Sequence, residues 1–267
     1  MKKTAFFLLI VLIGFGILFS GCEKKSGEGI TLKNGVLMVG VEIGYPPMEY
    51  FAEDGVTPIG FDISMAKALA DKLGLEVEFV DTAWAGIFAG VDTDKYDCII
   101  SSVTITDVRL QQHNFSRPYI QNTLAIVVKK DSEFSSIESP LDLAGLEVAY
   151  QEDTTADHYM AELTELEGFS FIPRAYDKVM NCFDDLDLDR VNVIITDLLV
   201  DYEYLARAEN LEIVWMGGEE EFGICMKKGN DALTEAIDAA LGELFSEGTM
   251  LQISNEIFGM DLVSALR

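Results

Sequence analysis

An apolar run from Tyr96 stops in small hydroxyl residues and is followed by one arginine: Ser101-Ser102-Val103-Thr104-Ile105-Thr106-Asp107-Val108-Arg109. Hydroxyls and backbone N–H groups at Ser101, Ser102 and Thr104, with the planar two-pronged guanidinium of Arg109, are the parts needed to hold a carboxylate. Alone, the pattern also reads as a strand end beside a solvated arginine. Two later stretches supply complementary chemistry. Thr154 and Thr155 follow the strand-like run Glu147–Tyr150 and open a helical one, where free N–H groups and the positive end of the dipole favour an anion. Asp197 lies just past Val193–Ile195 and offers a carboxylate to an ammonium group. Thr154 and Asp197 can equally be N-caps of the helices that follow them.

The surrounding periodicities predict the elements that would position these groups. Val36–Val41 reads as a strand broken by Tyr45-Pro46-Pro47, and Asp62 caps a helix with apolar residues Ile63, Ala66, Leu69, Ala70 and Leu73 that Gly74 ends. Glu76–Val80 alternates as a strand, Trp84 opens a helix through Val91, and Tyr96–Ser101 is a buried strand. The order implies parallel strands with crossover helices, so an α/β doubly wound domain. The alternation restarts with a strand at Leu124–Val128, which places a second α/β domain over about 124–220. Ligands of such sheets lie beyond the carboxyl ends of the strands, where the residues above fall.

The first 21 residues stand apart: Lys2-Lys3, an apolar Ala5–Phe19 stretch and Phe19-Ser20-Gly21-Cys22 read as a signal peptide ending at a cysteine. The polar stretch from Glu23 to Lys33 suits a tether. With Lys+Arg 19 against Asp+Glu 46, the net charge of −27 repels nucleic acid and anionic lipid surfaces and argues against both as partners. Cys98, Cys182 and Cys225 sit in apolar company and read as small buried hydrophobes. Neither a disulfide framework nor a metal-ligand spacing is present, no cofactor is called for, and Asp184–Asp189 reads as a solvated helix end. No nucleophile elbow, Cys/His pairing or phosphate loop points to an enzyme.

In family order, the chain resembles the bacterial extracellular amino-acid-binding proteins of ABC importers, family 3. The resemblance rests on Leu37-Met38-Val39-Gly40, Tyr45-Pro46-Pro47-Met48-Glu49-Tyr50, Gly60-Phe61-Asp62-Ile63, Ser101 to Arg109, Phe115-Ser116-Arg117-Pro118-Tyr119, Leu141-Asp142-Leu143-Ala144-Gly145, Asp153-Thr154-Thr155 and Thr196-Asp197. It implies a two-lobed periplasmic-binding-protein type II fold, with lobe 1 at 34–121 plus 222–267, lobe 2 at 124–220, and hinge segments near Ile120–Thr123 and Glu219–Glu221. It implies that Ser102, Thr104 and Arg109 hold an α-carboxylate, that Asp197 takes the α-ammonium, and that Tyr45 and Trp84 flank the ligand's side chain. Glu42 matches a position where relatives that bind basic or polar amino acids meet the distal end of the substrate, and Gln151 can reach the same side chain. Buried without a partner, Glu42 would be costly, and a cationic side chain would satisfy it. The expected ligand is therefore arginine, lysine or ornithine. Cys22 matches a lipidation site, which implies a monomer anchored outside the cytoplasmic membrane at residues 22–33 and partnered by a permease. The alternative is a periplasmic dehydratase of prephenate or arogenate type on the same fold.

Overall fold

The structure, a computed structural model, describes residues 29–266; the expected signal peptide and Cys22 lie outside the described residues. In chain order come β1 (Val36–Val41), a short hairpin of β2 (Tyr50–Phe51) and β3 (Pro58–Ile59), α1 (Phe61–Leu73), β4 (Glu76–Asp81), α2 (Trp84–Asp92), β5 (Cys98–Ile99), α3 (Asp107–Gln112) and β6 (His113–Phe115). Next are β7 (Ile120–Lys129), β8 (Glu147–Gln151), α4 (Thr155–Leu163), β9 (Ile172–Tyr176), α5 (Val179–Asp187), β10 (Val193–Asp197), α6 (Leu198–Arg207) and β11 (Leu211–Phe222). The chain closes with β12 (Cys225–Lys227), α7 (Asp231–Glu247) and α8 (Thr249–Phe258).

The strands form two five-stranded sheets, ordered β4-β1-β5-β12-β6 and β11-β7-β10-β8-β9. β1 is apolar and buried almost throughout, as a strand covered on both faces must be, and it pairs in parallel with β4 and β5. α1 buries Leu69 and Leu73 against the same core that receives Leu233, Ile237 and Leu241 of α7, so the C-terminal helices return to the first sheet. Gly74 ends α1 in the left-handed conformation. Close packing around β1 depends on two missing side chains: a Cβ at Gly40 or at Gly90 would fall within 2.4 Å of the Tyr96 side chain. The second sheet rests Leu124, Ile126, Val148 and Ile195 on Met160 of α4. Cys98, Cys182 and Cys225 are buried and unpaired, in keeping with their apolar neighbours.

Two local expectations are corrected. Both sheets are mixed: β12 runs antiparallel to β5 and β6, and β7 runs antiparallel to β10 and β11. The expected hinge segments near 120–123 and 219–221 are the start of β7 and the end of β11, paired as one end of a long antiparallel ribbon with Ile120 opposite Phe222 and Asn122 opposite Glu220. Asp62 does not cap α1. Gly60 takes that position without a side-chain bond, and the first helical N–H groups are met by Pro47 and Met48 carbonyls.

Candidate functional site

The carboxyl ends of β1 and β5 lie side by side, and the loops leaving them build one wall of a cleft. After β1 the chain turns sharply, with the Tyr45 N–H donating to the Glu49 carbonyl at 2.8 Å and the Met48 N–H to the Tyr45 carbonyl at 2.9 Å. The Glu42 side chain crosses to the start of α2, where Oε1 accepts the Trp84 N–H at 3.3 Å. A carboxylate is well placed there, at the positive end of a helix whose first donors have no partner within it.

Beyond β5, Ser102 holds a left-handed backbone with φ 51°, which a non-glycine residue keeps only when its surroundings fix it. Its N–H donates to Asp62 Oδ2 at 2.7 Å. Ser101 Oγ accepts the Glu42 N–H at 3.0 Å and donates to Glu49 Oε1 at 2.7 Å. Thr106 caps α3 by accepting from the Arg109 N–H, and Arg109 Nη1 donates to the Thr104 carbonyl at 2.9 Å. The guanidinium lies over the rings of Trp84 and Phe88, 5.5 and 5.1 Å from their centroids. These contacts leave a planar, buried fork with unused N–H groups turned to the cleft. Burial lowers its pKa, opposed by the charge of Glu220 first and Asp197 later. Guanidinium nevertheless remains charged in proteins.

The opposite wall comes from the second sheet. Asp197, the last residue of β10, makes no cap bond to α6. Its Oδ2 accepts the Tyr45 hydroxyl at 2.5 Å, and its Oδ1 accepts from Asn122 Nδ2 at 2.8 Å. Burial, with the neighbouring Glu220 charge, pushes its pKa well above the usual carboxylate range. Thr154 does cap α4, accepting the Asp157 N–H at 3.4 Å, while its hydroxyl donates to the Gln151 carbonyl at 2.7 Å. Thr155 opens the helix. Gln151 ends β8 and sends Nε2 to Glu42 Oε2 at 2.7 Å and to the Asp177 carbonyl at 3.0 Å.

Two further bonds join the walls: Trp84 Nε1 donates to the Asp153 carbonyl and Lys178 Nζ to the Ile43 carbonyl, each at 3.0 Å. All eleven residues singled out from the sequence line this one cleft. The arrangement brings Arg109 and Asp197 to opposite walls of the same cleft. Two points differ from expectation. Glu42 is not partnerless, because the Trp84 N–H and the Gln151 amide each serve one oxygen; burial still raises its pKa. Glu49 also lines the cleft, and sequence reasoning missed it as a site residue. Its signal was an acid in an otherwise apolar Pro-Pro-Met-Glu-Tyr run, which only a buried partner could accommodate.

The sequence profile of the bacterial extracellular solute-binding proteins, family 3, matches residues 37–260. The chain is 31% identical over 253 residues to the L-cystine-binding protein TcyJ of Escherichia coli (strain K12), covering 92% of each. It superposes on an ancestral arginine-binding protein bound to arginine with a TM-score of 0.79, at 35% identity, covering 84% of this chain and 99% of the other. On the arginine-, lysine-, histidine-binding protein ArtJ of Geobacillus stearothermophilus the TM-score is 0.76 at 28% identity, covering 84% and 96%. The two sheets with their helices are thus the type II periplasmic-binding-protein architecture. Match, fold and cleft agree, and the chain belongs to the bacterial extracellular solute-binding proteins, family 3.

Proposed function

We propose that this chain captures a basic L-amino acid, arginine, lysine or ornithine, and delivers it to the permease of an ABC importer. Two lobes, 34–121 with 222–267 and 124–220, close over the ligand; Cys22 carries the lipid that holds the monomer outside the cytoplasmic membrane. One observation carries the reading of the site: the cleft sets a single guanidinium, Arg109, against the acids Glu42 and Asp197. An α-carboxylate on Arg109 and an α-ammonium on Asp197 cancel each other. The surplus acid at Glu42 is then offset by a cationic side chain, and the face of Trp84 adds about 0.5 to 2 kcal/mol. Such a ligand touches both walls, and only a ligand with greater affinity for the closed state shifts the lobes toward closure. The arginine-binding relatives support the same reading.

Calorimetry against the twenty standard amino acids and ornithine tests it. Arg109→Ala and Asp197→Ala are expected to remove binding of every amino acid, whereas Glu42→Gln changes only the order of preference. If arginine and lysine bind no better than glutamine or leucine, the basic preference is wrong. A second reading has its own observation: the Lys178 ammonium, which bonds the Ile43 carbonyl, lies close enough to Glu42 to favour its charged form. A far end carrying both signs suits a ligand with a second amino-acid group, as in the cystine-binding relative. Tighter binding of L-cystine than of arginine, lost in Lys178→Met, would establish that reading instead. Prephenate is expected to yield no product. Release from the membrane fraction in Cys22→Ala tests the anchor.

A further inference from the structure

At the cleft floor, two buried carboxyl groups lie against each other. Glu49 is 1% exposed and Asp62 is wholly buried. Of their four oxygens, Glu49 Oε1 accepts from Ser101 Oγ, and Asp62 Oδ2 accepts both the Ser102 N–H and the Tyr119 hydroxyl, at 2.7 and 2.9 Å. The other two, Glu49 Oε2 and Asp62 Oδ1, have no donor among the described residues. Two buried carboxylates in contact repel strongly, and a single proton shared by the pair converts the repulsion into a hydrogen bond. The acceptor count says where it sits: Asp62 already takes two donors on one oxygen and is better served as the anion, so Glu49 is the acid.

We propose that Glu49 and Asp62 share one proton at neutral pH and act as a positioning pair for the carboxylate-holding turn at Ser101 and Ser102. A continuous chain of bonds then runs from the Glu42 N–H through Ser101 Oγ to Glu49, across the shared proton to Asp62, and on to the Ser102 N–H. That chain ties the distal end of the cleft to the carboxylate end and holds Ser102 in its left-handed conformation. The groups facing the pair are the Glu42 carboxylate, the Tyr119 hydroxyl and the two serines, with no cation among them to supply the missing charge. Burial raises both carboxyl pKa values, that of Asp62 to about 7, as a shared proton requires.

The inference rests on the proposed function only for its binding arm. Infrared difference spectroscopy of the full chain at pH 8 is expected to show the carbonyl stretch of one protonated carboxylic acid assignable to the pair. That band disappears in Glu49→Gln, whose amide supplies the donor covalently, and also in Asp62→Asn. The Ser102 amide resonance, followed by NMR, stays near its wild-type position in Glu49→Gln and moves in Glu49→Ala, where the chain is cut. With L-arginine as probe, Glu49→Ala weakens binding about tenfold and Glu49→Gln recovers most of the loss. A band that survives in both amide variants, or an equal displacement of Ser102 in Glu49→Gln and Glu49→Ala, overturns the proposal. Failure of L-arginine to bind the unsubstituted protein would instead count against the basic ligand and leave the spectroscopic result standing.

Discussion

Asp197 and Tyr45 lie 152 positions apart in the chain, yet their side chains form the bond that spans the cleft beside the proposed ammonium site. The buried carboxylate has two side-chain donors, Tyr45 and Asn122. Tyr45→Phe removes one and leaves an oxygen unserved in a dry place, which costs about 1–3 kcal/mol, or about 5- to 150-fold in affinity. Calorimetry with L-arginine should show that loss while the circular dichroism spectrum is unchanged. An unaltered affinity would remove Asp197 from the binding reaction. Trp84→Phe tests a different bond. It deletes the donor to the Asp153 carbonyl but keeps an aromatic face under Arg109. The expected result is a severalfold faster dissociation in stopped-flow measurements, from the loss of about 1 kcal/mol that exists only when the walls meet. At this scale the sequence disclosed residue types at strand ends and little about pairing. Asp197 could be a cap or a ligand group from its position alone, and the observed partners exclude the cap. Glu49 and Asp62 were legible only as members of a loop and a helix start, because what makes them a pair is a contact across folded chain.

Among the elements, the turn after β1 and the start of α1 form one unit. Gly60 has φ 125° at their junction, and a Cβ there would meet the Met48 carbonyl oxygen at 2.2 Å. The neighbours are backbone and cannot swing aside, so Gly60→Ala must separate the turn from the helix and misplace Tyr45 and Glu49 together. Denaturant unfolding should report a loss of at least about 2 kcal/mol, with weaker ligand binding in whatever remains folded. Stability within about 0.5 kcal/mol of wild type would show that the junction relaxes freely. The helices and the buried strands were readable because their apolar spacing is local. The ribbon of β7 and β11 was not, since its first residues include the polar run Gln121-Asn122-Thr123, which pairs with a segment about 100 positions away, and Glu219-Glu220-Glu221 has no strand propensity of its own. Antiparallel pairing of β12 was hidden for the same reason: three residues carry no signal of direction.

Across the whole molecule, the distribution of buried acids predicts an unusual response to pH. Glu49, Asp62, Asp197 and Asp201 are all buried, and burial raises each carboxyl pKa, Asp62 from 3.8 to about 7. A native group that keeps its proton to higher pH than the unfolded chain binds more protons between the two values, so stability falls as pH rises across that window. For Asp62 the window runs from about 4 to about 7, and the full effect is of order 4 kcal/mol. Acids whose pKa is lowered, such as Asp185 and Asp238, give up stability only below their unfolded values and do not oppose the trend above pH 4. Relief of self-repulsion in a chain of net charge −27 acts in the same direction. The melting temperature should therefore be higher at pH 5 than at pH 8. Asp201→Asn separates burial from net charge: both Asp201 oxygens lack a donor among the described residues, so the neutral amide should raise stability at pH 8 and flatten the slope. A surface aspartate such as Asp131, exchanged likewise, changes the net charge equally and should leave the slope as it was. If the two substitutions flatten it alike, net charge alone sets the pH response; if melting rises from pH 5 to pH 8, the buried carboxyls are already ionised in the native protein and do not set the slope.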